Sequence, residues 1–128
     1  MKEIISASAR PKAHYNNAVL AEGRILFIAT QPSVDWETGE FLDGDIYFQT
    51  QKALENVVYF LKKAGATLDN VVKTGIFLAD IKDFDAMNEV YDRFFPNSET
   101  APVRFTLQTS FPNKRIKVEF EAIAVFPV

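Results

Sequence analysis

From about Asp45 to Ala64 the positions Thr50, Ala53, Leu54, Val57, Val58, Leu61 and Ala64 recur at helical spacing. Both ends of this run carry the matching signals. Asp43 or Asp45 stands where an N-cap side chain accepts a backbone N–H, and Gly65 stands where left-handed backbone closes a helix. Lys62 and Lys63 fall in the last turn, where the helix dipole favours cations. An amphipathic helix of this length must bury its stripe against a second layer. The segment that follows provides one: Val71 to Ala79 is β-branched and apolar on both faces, the pattern of a strand covered on both sides.

The remaining elements follow the same logic. Asp83 caps a second helix through Phe84, Met87, Val90, Tyr91 and Phe94, which Pro96 stops, and Phe84, Met87 and Phe94 read as core. Arg104 to Thr109 alternates, with Phe105 and Leu107 opposite Arg104, Thr106 and Gln108. Lys117 to Phe126 alternates too, with Val118, Phe120, Ala122 and Ala124 opposite Glu119, Glu121, Ile123 and Val125. Upstream, Tyr15 to Leu20 and Arg24 to Thr30 read as an antiparallel hairpin joined by Ala21-Glu22-Gly23, and a polar turn from Asp35 to Glu40 leads toward the first helix. The class is α+β, a mixed sheet with two helices on one face. Two helices cover only one face, yet Ile123 and Val125 share the other with Glu119, so a homo-oligomer packed sheet to sheet is expected.

A chain of 128 residues, 48% hydrophobic and 24% charged, has the size and composition of one globular domain, here residues 1–128. A net charge of −3 argues against a general binder of phosphate backbones, and the basic group Lys114, Arg115 and Lys117 reads as solvated turn charge. Nucleic acid is therefore not the expected partner. The absence of cysteine excludes disulfides, a thiolate nucleophile and thiolate-bound metal, and a single histidine excludes a histidine-rich metal site. Asp43, Asp45, Glu37 and Glu40 cluster and leave oxygen-only coordination of Mg²⁺ or Ca²⁺ open, but they match no known loop spacing, so they read as surface turn carboxylates and no metal is expected. No run approaches a membrane span, and Met1 to Ser6 is too polar for a signal-peptide core, which points to the cytoplasm.

Three residues could carry chemistry. Arg104 follows Pro102-Val103 at a strand start, on the face read as pointing away from the helices. Its planar guanidinium can take a carboxylate in two hydrogen bonds, or it can simply be solvated or salt-bridged. Glu119 is placed on the same kind of face in the next strand, where a hairpin through Phe111-Pro112-Asn113-Lys114 would bring it beside Arg104. There it could steer a water as a general base or serve only as the partner of Arg104. His14 is the one imidazole; with no placed partner it reads as structural rather than catalytic.

Taken in order, several segments resemble the Rid family of reactive intermediate deaminases (RidA, also called YjgF). They are Gln49 to Gly65 with Ala53-Leu54-Glu55-Asn56-Val57, then Asp69 to Thr74, Asp83-Phe84 with Asn88, and Tyr91 to Phe95. Pro102-Val103-Arg104 and Lys117 to Val125 complete the match. The resemblance implies a chorismate-mutase-like fold and a homotrimer with clefts between subunits. It further implies cofactor-free hydrolysis of the enamines and imines released by pyridoxal-phosphate-dependent dehydratases, such as 2-aminoacrylate, to 2-keto acids and ammonia. In this reading Arg104 clamps the substrate carboxylate, Glu119 helps place the attacking water, and Tyr15, Thr30 and Asn88 line the cleft. Two stretches depart from the family pattern. Gly-Pro-Tyr with a Gln two residues on is here Ala13-His14-Tyr15-Asn16-Asn17, and Ser-Gly-Gln is Ala29-Thr30-Gln31. Thr30 thus adds a side chain where backbone would approach a small substrate. Two alternatives stay open: a non-catalytic trimer that senses a small carboxylate, and a divergent member of the family with another substrate. RNA cleavage, attributed to some relatives, finds little support in an acidic chain with one histidine.

Overall fold

A computed structural model describes all residues, Met1–Val128. The strands are β1 (Lys2–Ile5), β2 (Ala18–Ala21), β3 (Arg24–Gln31), β4 (Val34–Asp35), β5 (Glu40–Phe41), β6 (Val71–Leu78), β7 (Val103–Gln108) and β8 (Val118–Phe126). The helices are α1 (Ile46–Lys63) and α2 (Phe84–Phe94). The main sheet has the order β3-β8-β6-β7, with β7 parallel to β6 and the other pairs antiparallel. β4 and β5 form a small antiparallel hairpin around the polar turn.

α1 keeps both ends that its sequence encodes. The Asp45 carboxylate accepts the Phe48 N–H at 2.8 Å. At the other end Gly65 adopts φ 80°, while the Ala66 N–H donates to Leu61 O and the Gly65 N–H to Lys62 O, which is a Schellman closure. The fully buried Gln49 locks the helix to the sheet. Its amide donates to Gly44 O and Arg115 O, and its Oε1 accepts the Lys117 N–H at the start of β8. α1 and α2 both lie on the face that presents Val118, Phe120, Ala122 and Ala124, and these residues with Leu54, Leu61, Ile76, Leu78 and Tyr91 belong to one core of 19 buried residues. The mixed sheet with two helices on one face is therefore observed.

Two expected pairings are not. The stretch expected to form a hairpin with β3 pairs instead with β1, register Lys2↔Ala21 to Ile5↔Ala18, and β3 pairs only with β8. At Gly23 (φ 146°) the chain passes hard against the end of β8, where a Cβ would lie 2.3 Å from the Phe126 carbonyl oxygen. The glycine is thus a crossing between two sheets. The second correction concerns β7 and β8. They are adjacent in sequence but β6 lies between them, because the connection straps past the end of β6, with the Thr109 N–H on Leu78 O and the Ala79 N–H on Lys117 O. α2 is the crossover that makes β6 and β7 parallel.

That topology reverses the expected orientation of Arg104. Arg104 pairs with Thr74, which pairs with Ala122, and all three point toward the helices. Glu119 pairs with Phe77, which pairs with Leu107, on the opposite face with Ile123 and Phe27. Within one copy of the chain Arg104 and Glu119 are not neighbours. The outer face is as apolar as expected: Phe27 is 73% exposed, Ile25 58% and Leu107 53%.

Candidate functional site

Arg104 leads into a cage of rings. Its guanidinium carbon lies 4.8 Å from the centre of Tyr91, 5.2 Å from Tyr15 and 5.7 Å from Phe84. Phe84, Asn88 and Tyr91 occupy one stripe of α2, four and three residues apart, so the helix lays all three along the strand that carries Arg104. Two polar atoms in this place are buried with no hydrogen-bond partner: Arg104 Nη1 and Asn88 Oδ1. The chain's single ion pair involves other residues, and no carboxylate reaches Arg104. A buried donor on a cation and a buried acceptor, both unpaired, cost stability unless a ligand satisfies them.

Tyr91 is held from beneath. Its hydroxyl shares a 2.9 Å hydrogen bond with the buried Thr74 hydroxyl. Burial pushes its phenol up to about 12, against the opposing pull of that hydrogen bond and of the Arg104 charge. It therefore stays neutral and presents its face to the cation. Sequence reasoning took Phe84 as core and gave Tyr91 only a place in the helix; both pack on the core and also wall the site. The signal that could have found them is the Phe84, Asn88, Tyr91 spacing combined with the Arg104 strand.

Tyr15 arrives from a distant loop. The loop is tied down by its neighbours: His14 Nδ1 is 2.9 Å from Phe95 O, just past the end of α2, and 3.5 Å from Asp92 Oδ1. Asn16, 2% exposed, donates its amide to Ser98 O and Ala101 O. His14 thus ties the loop to the end of α2.

The other two expected site residues stand together on the outer face. Glu119 is half-buried on β8, and burial holds its carboxyl above the usual range, with the nearby Thr30 hydroxyl working the other way. Thr30 is exposed where β3 bulges between Ile28 and Gln31, so its side chain joins Glu119 rather than the core. The expected residues thus fall into two groups on opposite faces of one sheet: Arg104, Tyr15 and Asn88 on one, Glu119 and Thr30 on the other.

Comparison with known proteins gives this geometry a context. The family described as Endoribonuclease L-PSP matches residues 6–126. A RutC family protein of Pyrococcus abyssi is 41% identical over 96% of both chains. The human 2-iminobutanoate/2-iminopropanoate deaminase is 35% identical, covering 98% of this chain and 90% of its own. Among solved structures, E. coli TdcF with bound serine superposes with a TM-score of 0.71 at 34% identity over 97% of this chain and 98% of that one. The Rid family protein YyfA of Yersinia pestis gives 0.74 at 33%, covering 98% of this chain and 100% of that one.

Proposed function

The chain belongs to the endoribonuclease L-PSP family, which takes in Rid proteins and 2-iminobutanoate/2-iminopropanoate deaminases, and from that premise we propose that it hydrolyses 2-imino and enamine acids of the 2-aminoacrylate type to 2-keto acids and ammonia. The observation that carries the proposal is the unpaired Arg104 Nη1, buried in an aromatic cage, with the unpaired Asn88 Oδ1 on the same stripe of α2 as two of its rings. A carboxylate can satisfy the free Nη1 of the guanidinium through a charge-assisted hydrogen bond. An imine or iminium N–H next to that carboxylate offers Asn88 Oδ1 a donor.

The chemistry asks for little more. The imine carbon is already electrophilic, so fixing the carboxylate and placing a water accounts for most of the work. The water adds to C2, its proton passing through Glu119 to the nitrogen, and the carbinolamine collapses to the ketone with loss of ammonia. A carboxylate whose burial raises its proton affinity is suited to both transfers. Because Glu119 and Thr30 lie on the face opposite Arg104, one substrate meets both sets only between copies of the chain. The proposal therefore includes a homotrimer in which the apolar outer face is buried and each cleft takes Arg104 from one subunit and Glu119 from the next. Net charge −3 and a single ring-caged guanidinium offer a phosphate backbone little, so the nuclease activity in the family description is not part of it.

A second reading is a non-catalytic trimer that binds a small carboxylate. The Thr30 side chain beside Glu119 favours it, because its hydroxyl engages the carboxylate proposed as the base. The two readings separate in one assay. The purified protein is added to a serine or threonine dehydratase and imine decay is followed. Wild type should accelerate decay, Arg104→Ala should lose about ten- to more than hundredfold in kcat/KM for each charged hydrogen bond removed, and Arg104→Lys should recover only part. A sensor would bind 2-oxobutanoate through Arg104 and leave imine decay at its spontaneous rate. Full activity in a correctly assembled Arg104→Ala variant would refute the site.

A further inference from the structure

Tyr15 reaches Arg104 without any strand or helix to hold it. It lies in a loop, half-buried, and the element that follows, β2, pairs with β1 and makes no ladder with the main sheet. His14 ties one side of the loop to the end of α2, and the residue after Tyr15 ties the other to the lead-in of β7. Asn16 is 2% exposed, and its side-chain amide, its Oδ1 and its backbone N–H are all engaged. Its amide donates to Ser98 O at 2.9 Å and to Ala101 O at 2.8 Å, its backbone N–H donates to Pro102 O at 3.1 Å, and its Oδ1 accepts from Arg10 Nη2 at 3.3 Å. Three of these contacts land on the segment that runs directly into Val103 and Arg104. The same two-residue step therefore fixes the loop that carries the ring to the strand that carries the cation.

We infer that Asn16 is a positioning residue for the Arg104 site, setting the Tyr15 ring over the guanidinium and so fixing the plane in which a carboxylate is received. This rests on the reading of Arg104 as a carboxylate clamp. The residue type matters. Two carbonyls, on Ser98 and Ala101, each receive an N–H from one buried side chain, the first of them also a longer one from Arg10 Nη2 at 3.4 Å, and a primary amide of this length offers two donors diverging from a single nitrogen. Serine offers one shorter donor, and aspartate at neutral pH offers none.

The test compares wild type, Asn16→Ser, Tyr15→Leu and the double variant in two readouts. One is calorimetric binding of 2-oxobutanoate; the other is the side-chain NMR signal of Arg104 in the ligand-free protein, assigned through Arg104→Lys, which the Tyr15 ring current displaces. Tyr15→Leu should move that signal and weaken binding about two- to thirtyfold, the range of one desolvated cation–ring contact. Asn16→Ser should move the signal in the same direction and weaken binding comparably, and in the Tyr15→Leu background it should add nothing further. Additive losses, or a lowered melting temperature with the Arg104 signal and affinity both unchanged, would leave Asn16 a purely structural residue and overturn the inference. Should Asn16→Ser not fold, Arg10→Met, which removes the donor to Asn16 Oδ1 together with the bonds of Arg10 to Ser6 Oγ and Ser98 O, should produce a smaller shift of the same sign; no shift overturns it equally. If wild type fails to bind 2-oxobutanoate, the proposed function falls, and the ligand-free Arg104 signal still decides whether Asn16 places the ring.

Discussion

Glu119 shows how far the surroundings of one residue set its chemistry. A carboxylate at the surface is ionised well below neutrality and is a poor base; half-buried on β8, Glu119 holds its proton to higher pH, burial outweighing the Thr30 hydroxyl. As the base it works only when ionised, so activity should be full above this raised value and fall as pH drops through it. The acid limb of kcat/KM should therefore lie above the ordinary carboxylate range, and Glu119→Gln should remove the limb together with most of the rate. A limb at the ordinary carboxylate value, or one that survives in Glu119→Gln, assigns the titration to another group. The same raised affinity costs stability: the folded state binds more protons between the ordinary and raised values, so stability declines as pH rises through that window. Arg104 and Glu119 were both legible as candidates from strand alternation. Their environments were not, because the rings around Arg104 come from a loop and a helix far from it in sequence.

At the scale of the element, the strand β6 decides which face each site residue occupies. Its Gly75 has no side chain because two others fill the space: a Cβ there would lie 2.6 Å from the Phe105 ring and 2.7 Å from Glu121 Oε1. Phe105 can thus fold back over β6 and meet Phe77 edge to face at 5.6 Å, which commits the odd residues of β7 to the outer face and Arg104 to the helices. Gly75→Ala should therefore cost about 1–3 kcal/mol by overpacking, seen as a lower denaturation midpoint, and Phe105→Leu in the same chain should recover part of it. An unchanged midpoint in Gly75→Ala would show that the outer face is looser than drawn. Elements with strong local signals, α1 above all, match the sequence reading to within a residue or so at each end. The strand pairings did not, since pairing depends on partners that local sequence does not name.

For the whole molecule, the two proposed half-sites make a prediction that no single-chain site would. Arg104→Ala and Glu119→Gln should each be inactive alone. When the two are unfolded together and refolded at equal amounts, about a quarter of the clefts in a cyclic trimer should combine an intact Arg104 with an intact Glu119, and activity should return in that proportion. No recovery in mixed trimers would mean that each site lies within one chain. A monomer mass by light scattering across the micromolar range would remove the shared cleft altogether.

The sequence by itself determined the helices, the alternating strands, the α+β class and the family resemblance, because capping residues, glycine closure and periodicity act over a few residues and need no knowledge of the rest of the chain. It also picked out Arg104, Glu119, Tyr15, Thr30 and Asn88. Only the tertiary structure decided how these are divided. Sequence adjacency suggests that β7 and β8 pair, but inserting β6 between them lets α2 cover the sheet and turns Arg104 inward while Glu119 faces out. Which strand neighbours which is settled by long-range burial of the apolar faces, and that is a property of the assembled sheet rather than of any segment in it.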